Sequence, residues 1–145
     1  MGKTSVANEV STLLEEADVA HTFIDLDGLA YTFPLGTDDP YGDEIALENL
    51  SAIWANSRKR GVKHLLIARV VESRDYADKL AASVGIGAPV VCRLTGQDDT
   101  LLERVRKREI GLGLAWHEKR SLQLARELEA SAVEDFCVPT DGRSV

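Results

Sequence analysis

The sequence predicts an α/β protein with a parallel sheet covered by helices, and three observations carry that prediction. Short apolar runs alternate with amphipathic stretches of ten or more residues along the chain. The run HLLIARVV at residues 64–71 is apolar on both faces, as a strand covered from both sides must be. Glycine or proline stands at most of the junctions, where the backbone must turn.

A first helix is expected over residues 3–16, because Val6, Val10, Leu13, Leu14 and Ala17 fall on one face. The run HTFIDL, residues 21–26, reads as a buried strand that ends in Asp25 and Asp27 and is closed by Gly28. Residues 31–42 carry Pro34, Gly36, Pro40 and Gly42 with Asp38 and Asp39, and read as a loop long enough to be functional. A second helix is expected over 43–60, with Ala46, Leu50, Ile53 and Trp54 on one face and Gly61 as its stop. The strand at 64–71 follows, then a third helix over 74–84 that ends near Gly85 and Gly87. The run APVVCRL, residues 88–94, is the next strand. A charged helix over 98–110 leads through Gly111 and Gly113 into a helix over 115–132, and EDFCVP is the last strand. Right-handed crossovers then specify a doubly wound sheet.

At 145 residues with 44% hydrophobic content, the chain is expected to be one domain, 1–145, with a real core. A net charge of −7 argues against a nucleic-acid or anionic-membrane surface as the main partner, although a local arginine cluster can still bind a small anion. No apolar run approaches the roughly 18 residues of a membrane span and no leader is recognisable, which points to the cytoplasm. Cys92 and Cys137 lie in apolar segments without metal-ligand spacing, and are expected as buried thiols. His21, His64 and His117 are scattered, so no zinc site is expected.

Gly2-Lys3-Thr4, followed by Ser5 and an amphipathic helix, matches the last third of G-x-x-x-x-G-K-[ST]. In that motif the glycine lets backbone approach a phosphate, the lysine reaches the β- and γ-phosphates, and the threonine hydroxyl ligates Mg²⁺. The plain alternative is a helix start capped by Thr4 or Ser5. With GKTS, the segments IDLDGL, LLERVRKRE and TDGRS stand in an order that resembles the P-loop small-molecule kinases. These are the adenylate kinase-like group that includes gluconate kinase, adenylylsulfate kinase and chloramphenicol phosphotransferase-like proteins.

The resemblance implies a three-layer P-loop NTPase fold and a lid-like helical segment over 98–114. It implies that a first strand and its GxxxxG turn precede Met1, and that a last helix follows TDGRSV; both are missing from this chain. The absent strand would be the central one, between LLIARVV and APVVCRL. The resemblance makes ATP and Mg²⁺ the cofactors. It places Gly2, Lys3, Thr4, Ser5 and Arg143 at the nucleotide, and Thr4 and Asp25 at the metal. Asp27 would be the general base on an acceptor hydroxyl, with Asp25 orienting metal or substrate. The plain reading of the two acids is a strand end and turn.

Arg104 and Arg108, four apart, share a helix face and could clamp phosphates as a lid closes. The alternative is a solvated helix with pairs such as Glu103 with Lys107 and Arg104 with Glu109. Arg69 sits near the C-terminal end of a buried strand, the end that lines the ligand crevice of an open parallel sheet. It is a substrate-binding candidate with Glu72 beside it, or else a salt-bridged arginine. Trp54, Trp116 and Tyr31 are expected in the core, with Tyr31 and Phe33 alternatively touching substrate.

The expected function is transfer of the γ-phosphoryl group of ATP to a hydroxyl or phosphate of a small-molecule acceptor. Lys3, Asp27, Arg104 and Arg108 would be catalytic. The alternative is a non-catalytic P-loop-derived nucleotide-binding or interaction module, because a phosphate loop without its N-terminal amides lacks most of its anion nest. A nucleic-acid ATPase is disfavoured by the acidic balance. The sequence identifies neither the acceptor nor the oligomeric state.

Overall fold

The computed structural model describes residues 2–109 and 111–143, and it is mixed α/β with small parallel sheets. In chain order the elements are α1 (Lys3–Glu16), β1 (His21–Asp25), a 3₁₀ turn (Leu26–Ala30), α2 (Asp43–Arg58) and β2 (His64–Ala68). They continue as α3 (Arg74–Val84), β3 (Cys92–Thr95), α4 (Asp98–Arg108), α5 (Leu114–Ser131) and β4 (Phe136–Pro139). The expected ends of the chain and the end of the α4 segment at Ile110 lie outside the described residues.

The described strands form two ladders rather than one continuous sheet. β1 pairs with β2 in parallel, His21 opposite His64 through Asp25 opposite Ala68. β3 pairs with β4 in parallel, Cys92 opposite Phe136 through Thr95 opposite Pro139. The chain divides accordingly into two compact units. The first holds Lys3–Val70 and Ala77–Pro89; the second gathers Gly2, Val71–Tyr76 and the chain from Val90 onward.

In the first unit, α1 packs on β1 and β2, and α2 packs on β1 and the 3₁₀ turn. Helix α1 stops where Asp18 adopts φ 55 and the Val19 N–H reaches back to the Leu14 carbonyl at 2.8 Å, closing the last turn. The imidazole of His21 then ties strand to helix. Its Nδ1–H donates to the Val19 carbonyl at 2.8 Å, leaving Nε2 to accept from the Ser11 hydroxyl at 2.6 Å. Ala46, Leu50 and Trp54, at helical spacing, form the buried stripe of α2, and Ile24, Leu26 and Ala68 complete the core beneath it.

The start of α2 has no side-chain cap at Gly42, which sits at φ 69. Asp39 supplies it instead, its two carboxylate oxygens accepting from the N–H groups of Asp43 at 2.7 Å and Glu44 at 2.9 Å. Gly42 has no room for a side chain, because a Cβ there would stand 2.9 Å from the Ala30 carbonyl oxygen. Both ends of the loop 31–41 are thereby pinched together.

In the second unit, α4 packs on α5, and Leu101, Val105 and Val133 are buried. The β3–β4 ladder is extended at both ends. The Asp135 carboxylate accepts from the Val91 N–H at 2.7 Å, and the Thr140 N–H donates to the Thr95 carbonyl at 2.9 Å.

Three expectations about burial are corrected. Cys92 and Cys137 are exposed free thiols, because a ladder of only two strands leaves them uncovered. Burial of part of the side chain, and then the neighbouring Cys137, still raise the Cys92 thiol above its ordinary value. Trp54 is 5% exposed as expected, but Trp116 is 65% and Tyr31 93% exposed: one follows an open turn, the other begins the surface loop. Among the described residues, no helix is long and apolar enough to cross a membrane.

Replacing Leu50 with Ala is expected to cost roughly 2–5 kcal/mol in chemical denaturation, since the side chain is wholly buried. Asp39→Ala, which removes only the cap, is expected to cost about 1 kcal/mol.

Candidate functional site

Strand β1 ends at Asp25 because that carboxylate turns the chain: its Oδ1 accepts from the Asp27 N–H at 3.2 Å and caps the 3₁₀ turn. Its other oxygen, Oδ2, accepts from the Thr4 hydroxyl at 2.7 Å. Thr4 lies in the first turn of α1, which the packing of that helix on β1 and β2 sets against the strand's C-terminal end. Helix α1 begins at Lys3, so Thr4 and Ser5 stand inside it, and the reading of either as its N-cap is corrected. Lys3 heads the same helix, and Ser5 is exposed one residue beyond Thr4. Gly2, at φ 99, meets nothing within 4 Å of an added Cβ and groups with the second unit.

Asp27 diverges from Asp25 because the chain has already left the extended conformation. It accepts from Arg69 Nη1 at 2.6 Å, and Arg69 Nη2 donates to Asp43 Oδ1. The arginine follows the end of β2 directly and its side chain is only 14% exposed, against 54% for Asp27 and 39% for Asp43. A guanidinium so far from water is stabilised by charge-assisted bonds on both sides. Arg69 is therefore the salt-bridged arginine that the sequence left as one of two readings. In the second unit, Arg120 donates to Glu72 at 3.4 Å.

The first unit thus brings Thr4 to Asp25, and Asp27 to Arg69 and Asp43. The last of these acids escaped the sequence reading, because an aspartate in the first turn of a helix is explained by the helix alone. Among the described residues no group of three His, Cys, Asp or Glu side chains could hold a metal ion. Thr4 and Asp25 together offer one hydroxyl and one carboxylate, fewer ligands than a protein-caged ion takes.

Arg104, Arg108 and Arg143 belong to the second unit. Arg104 donates from Nη1 to the Thr140 hydroxyl and from Nη2 to the Thr140 carbonyl, both at 2.7 Å. Arg108 pairs with Glu109, Lys107 with Glu103 and Arg106 with Glu118. Glu109 pairs with Arg108 and not with Arg104, because Thr140 already holds the latter. Arg143 is exposed. Beside this cluster, hydrogen bonds from Thr100 and from the Gln97 N–H hold Asp141 below the ordinary carboxylate value, with Arg104 adding to the effect. Glu134 is lowered by its own backbone N–H and by Arg93.

Comparison with protein-family models, with curated proteins and with solved structures gives no match for this chain.

Asp141 and Glu134 both have folded-state values below their unfolded ones. Their stabilisation is complete above the unfolded value and is lost as pH falls through the lower folded value. Urea midpoints measured between about pH 6 and about pH 3 are expected to fall for the wild type, and to fall less for Asp141→Asn.

Proposed function

We propose that this chain is a P-loop-type phosphotransferase that moves the γ-phosphoryl group of ATP to a hydroxyl of a small-molecule acceptor. The observation that carries the reading is the 2.7 Å bond from Thr4 to Asp25. In P-loop enzymes a helix-start hydroxyl and a carboxylate at a strand end hold Mg²⁺ together. Here those two groups, 21 positions apart in the sequence, are in contact, and the hydroxyl directly follows Lys3. The three-layer P-loop fold is part of the same proposal, as are the roles of Gly2, Ser5 and Arg143 at the nucleotide.

When bound, Mg²⁺ supplies charge neutralisation at the β- and γ-phosphates. Thr4 and Asp25 would hold it, and Lys3 would reach the same phosphates. The acceptor oxygen forms its bond to the γ-phosphorus as the bond to the leaving ADP oxygen breaks. The hydroxyl proton passes to Asp27, which Arg69 holds in place. Arg104 and Arg108 would meet the transferring group only after exchanging Thr140 and Glu109 for it. Those bonds favour the second reading, a nucleotide-binding or interaction module without catalysis.

Calorimetric titration with a non-hydrolysable ATP analogue tests the proposal. Binding is expected in the micromolar range only with Mg²⁺ present, lost in Lys3→Ala and weakened at least about tenfold in Thr4→Val and Asp25→Asn. Binding with no phosphoryl transfer selects a nucleotide-binding module, and no binding at all removes the phosphotransferase.

A further inference from the structure

The loop between the 3₁₀ turn and α2 carries chemistry that phosphoryl transfer does not use. Tyr31, Phe33 and Tyr41 are 93%, 96% and 78% exposed, three of the eight aromatic side chains within eleven residues. Rings this open gain nothing from the core.

The stems of this loop are fixed. Gly42 closes on Ala30, and Leu35 fills the space beside it, 3.3 Å from where a Gly42 Cβ would stand. Asp39 holds the start of α2, and Arg69 joins Asp27, before the loop, to Asp43, after it. The rings are therefore carried on a base that includes Asp27 itself.

The charge of this segment is one-sided. Residues 27–44 contain Asp27, Asp38, Asp39, Asp43 and Glu44 and no Lys or Arg, and Arg69 already serves two of those carboxylates. Such a surface repels anions and attracts cations. Aromatic faces bind an organic ammonium group in the same sense, through their negative π-clouds.

We infer that loop 31–42 is the acceptor-recognition element and that the acceptor is an organic ammonium compound bearing a hydroxyl. This rests on the phosphotransferase reading for the word acceptor, but the binding itself does not. Tyr31, Phe33 and Tyr41 hold the ammonium group, the carboxylates set the sign of its charge, and the hydroxyl is left for Asp27. Asp43 acts as a positioning residue through Arg69.

Choline is the probe, with its neutral carbon isostere 3,3-dimethyl-1-butanol and anionic gluconate as comparators. Each is titrated against the full chain without nucleotide, by saturation-transfer NMR. Choline is expected to bind, to weaken as salt rises, and to exceed the neutral isostere by about tenfold or more; gluconate is expected not to bind. Tyr31→Ala and Phe33→Ala are each expected to weaken choline by roughly threefold or more while leaving ATP-analogue affinity unchanged, which also reports that the variants fold. Equal binding of choline and its isostere overturns the inference, as does undiminished choline binding by the variant lacking all three rings, or no choline binding at all. Ring-dependent choline binding with no nucleotide binding leaves the loop as a cation site and removes the kinase. Nucleotide binding without choline binding does the reverse.

Discussion

The guanidinium of Arg69 ties Asp27 of the 3₁₀ turn to Asp43 at the start of α2. Asp27 and Asp43 come from a 3₁₀ turn and the start of a helix, and Arg69 donates to both. One planar cation with two donating groups bonds both carboxylates at once. It does so from the residue directly after β2, so the ladder fixes the arginine and the arginine fixes Asp27 and Asp43.

That arrangement needs a firm ladder, and two parallel strands alone would not supply one. Helix α1 lies on both strands and α2 on the turn beyond β1, so the apolar stripe of α2 and the core beneath it carry the stability that five residue pairs cannot. The Thr4 contact is a by-product of the same packing: placing α1 on β1 and β2 puts its first turn at the ends of those strands. Burial, not the polar bonds, therefore determines where the polar groups meet.

Much of the architecture was legible, because helices announce themselves locally. The spacing of Val6, Val10, Leu13 and Leu14 gave the bounds of α1, and those of α3 agree equally well. Strand ends were less legible, since polar side chains trim them. Leu26 leaves β1 because Asp25 caps the turn, and β3 starts at Cys92 because Pro89 has no N–H and the Val91 N–H goes to Asp135. The exposure of Cys92 and Cys137 depends on whether a layer covers the ladder, which their apolar neighbours in sequence do not determine. Asp25, Asp27 and Arg69 were visible as candidates; the partners were not, because Arg69 meets Asp43 across 26 positions and Arg104 meets Thr140 across 36.

The two tryptophans fall one in each unit, and their surroundings differ sharply. Trp54 is enclosed and its indole N–H has no hydrogen-bond partner among the described residues, whereas Trp116 stands mostly in water, T-shaped against the ring of His117. An indole in a dry apolar site emits at shorter wavelength than one in water. The molecule therefore carries two intrinsic fluorophores of different colour, a blue one in the first unit and a red one in the second. On denaturation the blue band reports the loss of the first unit, while quenching of the red band by added iodide follows the second.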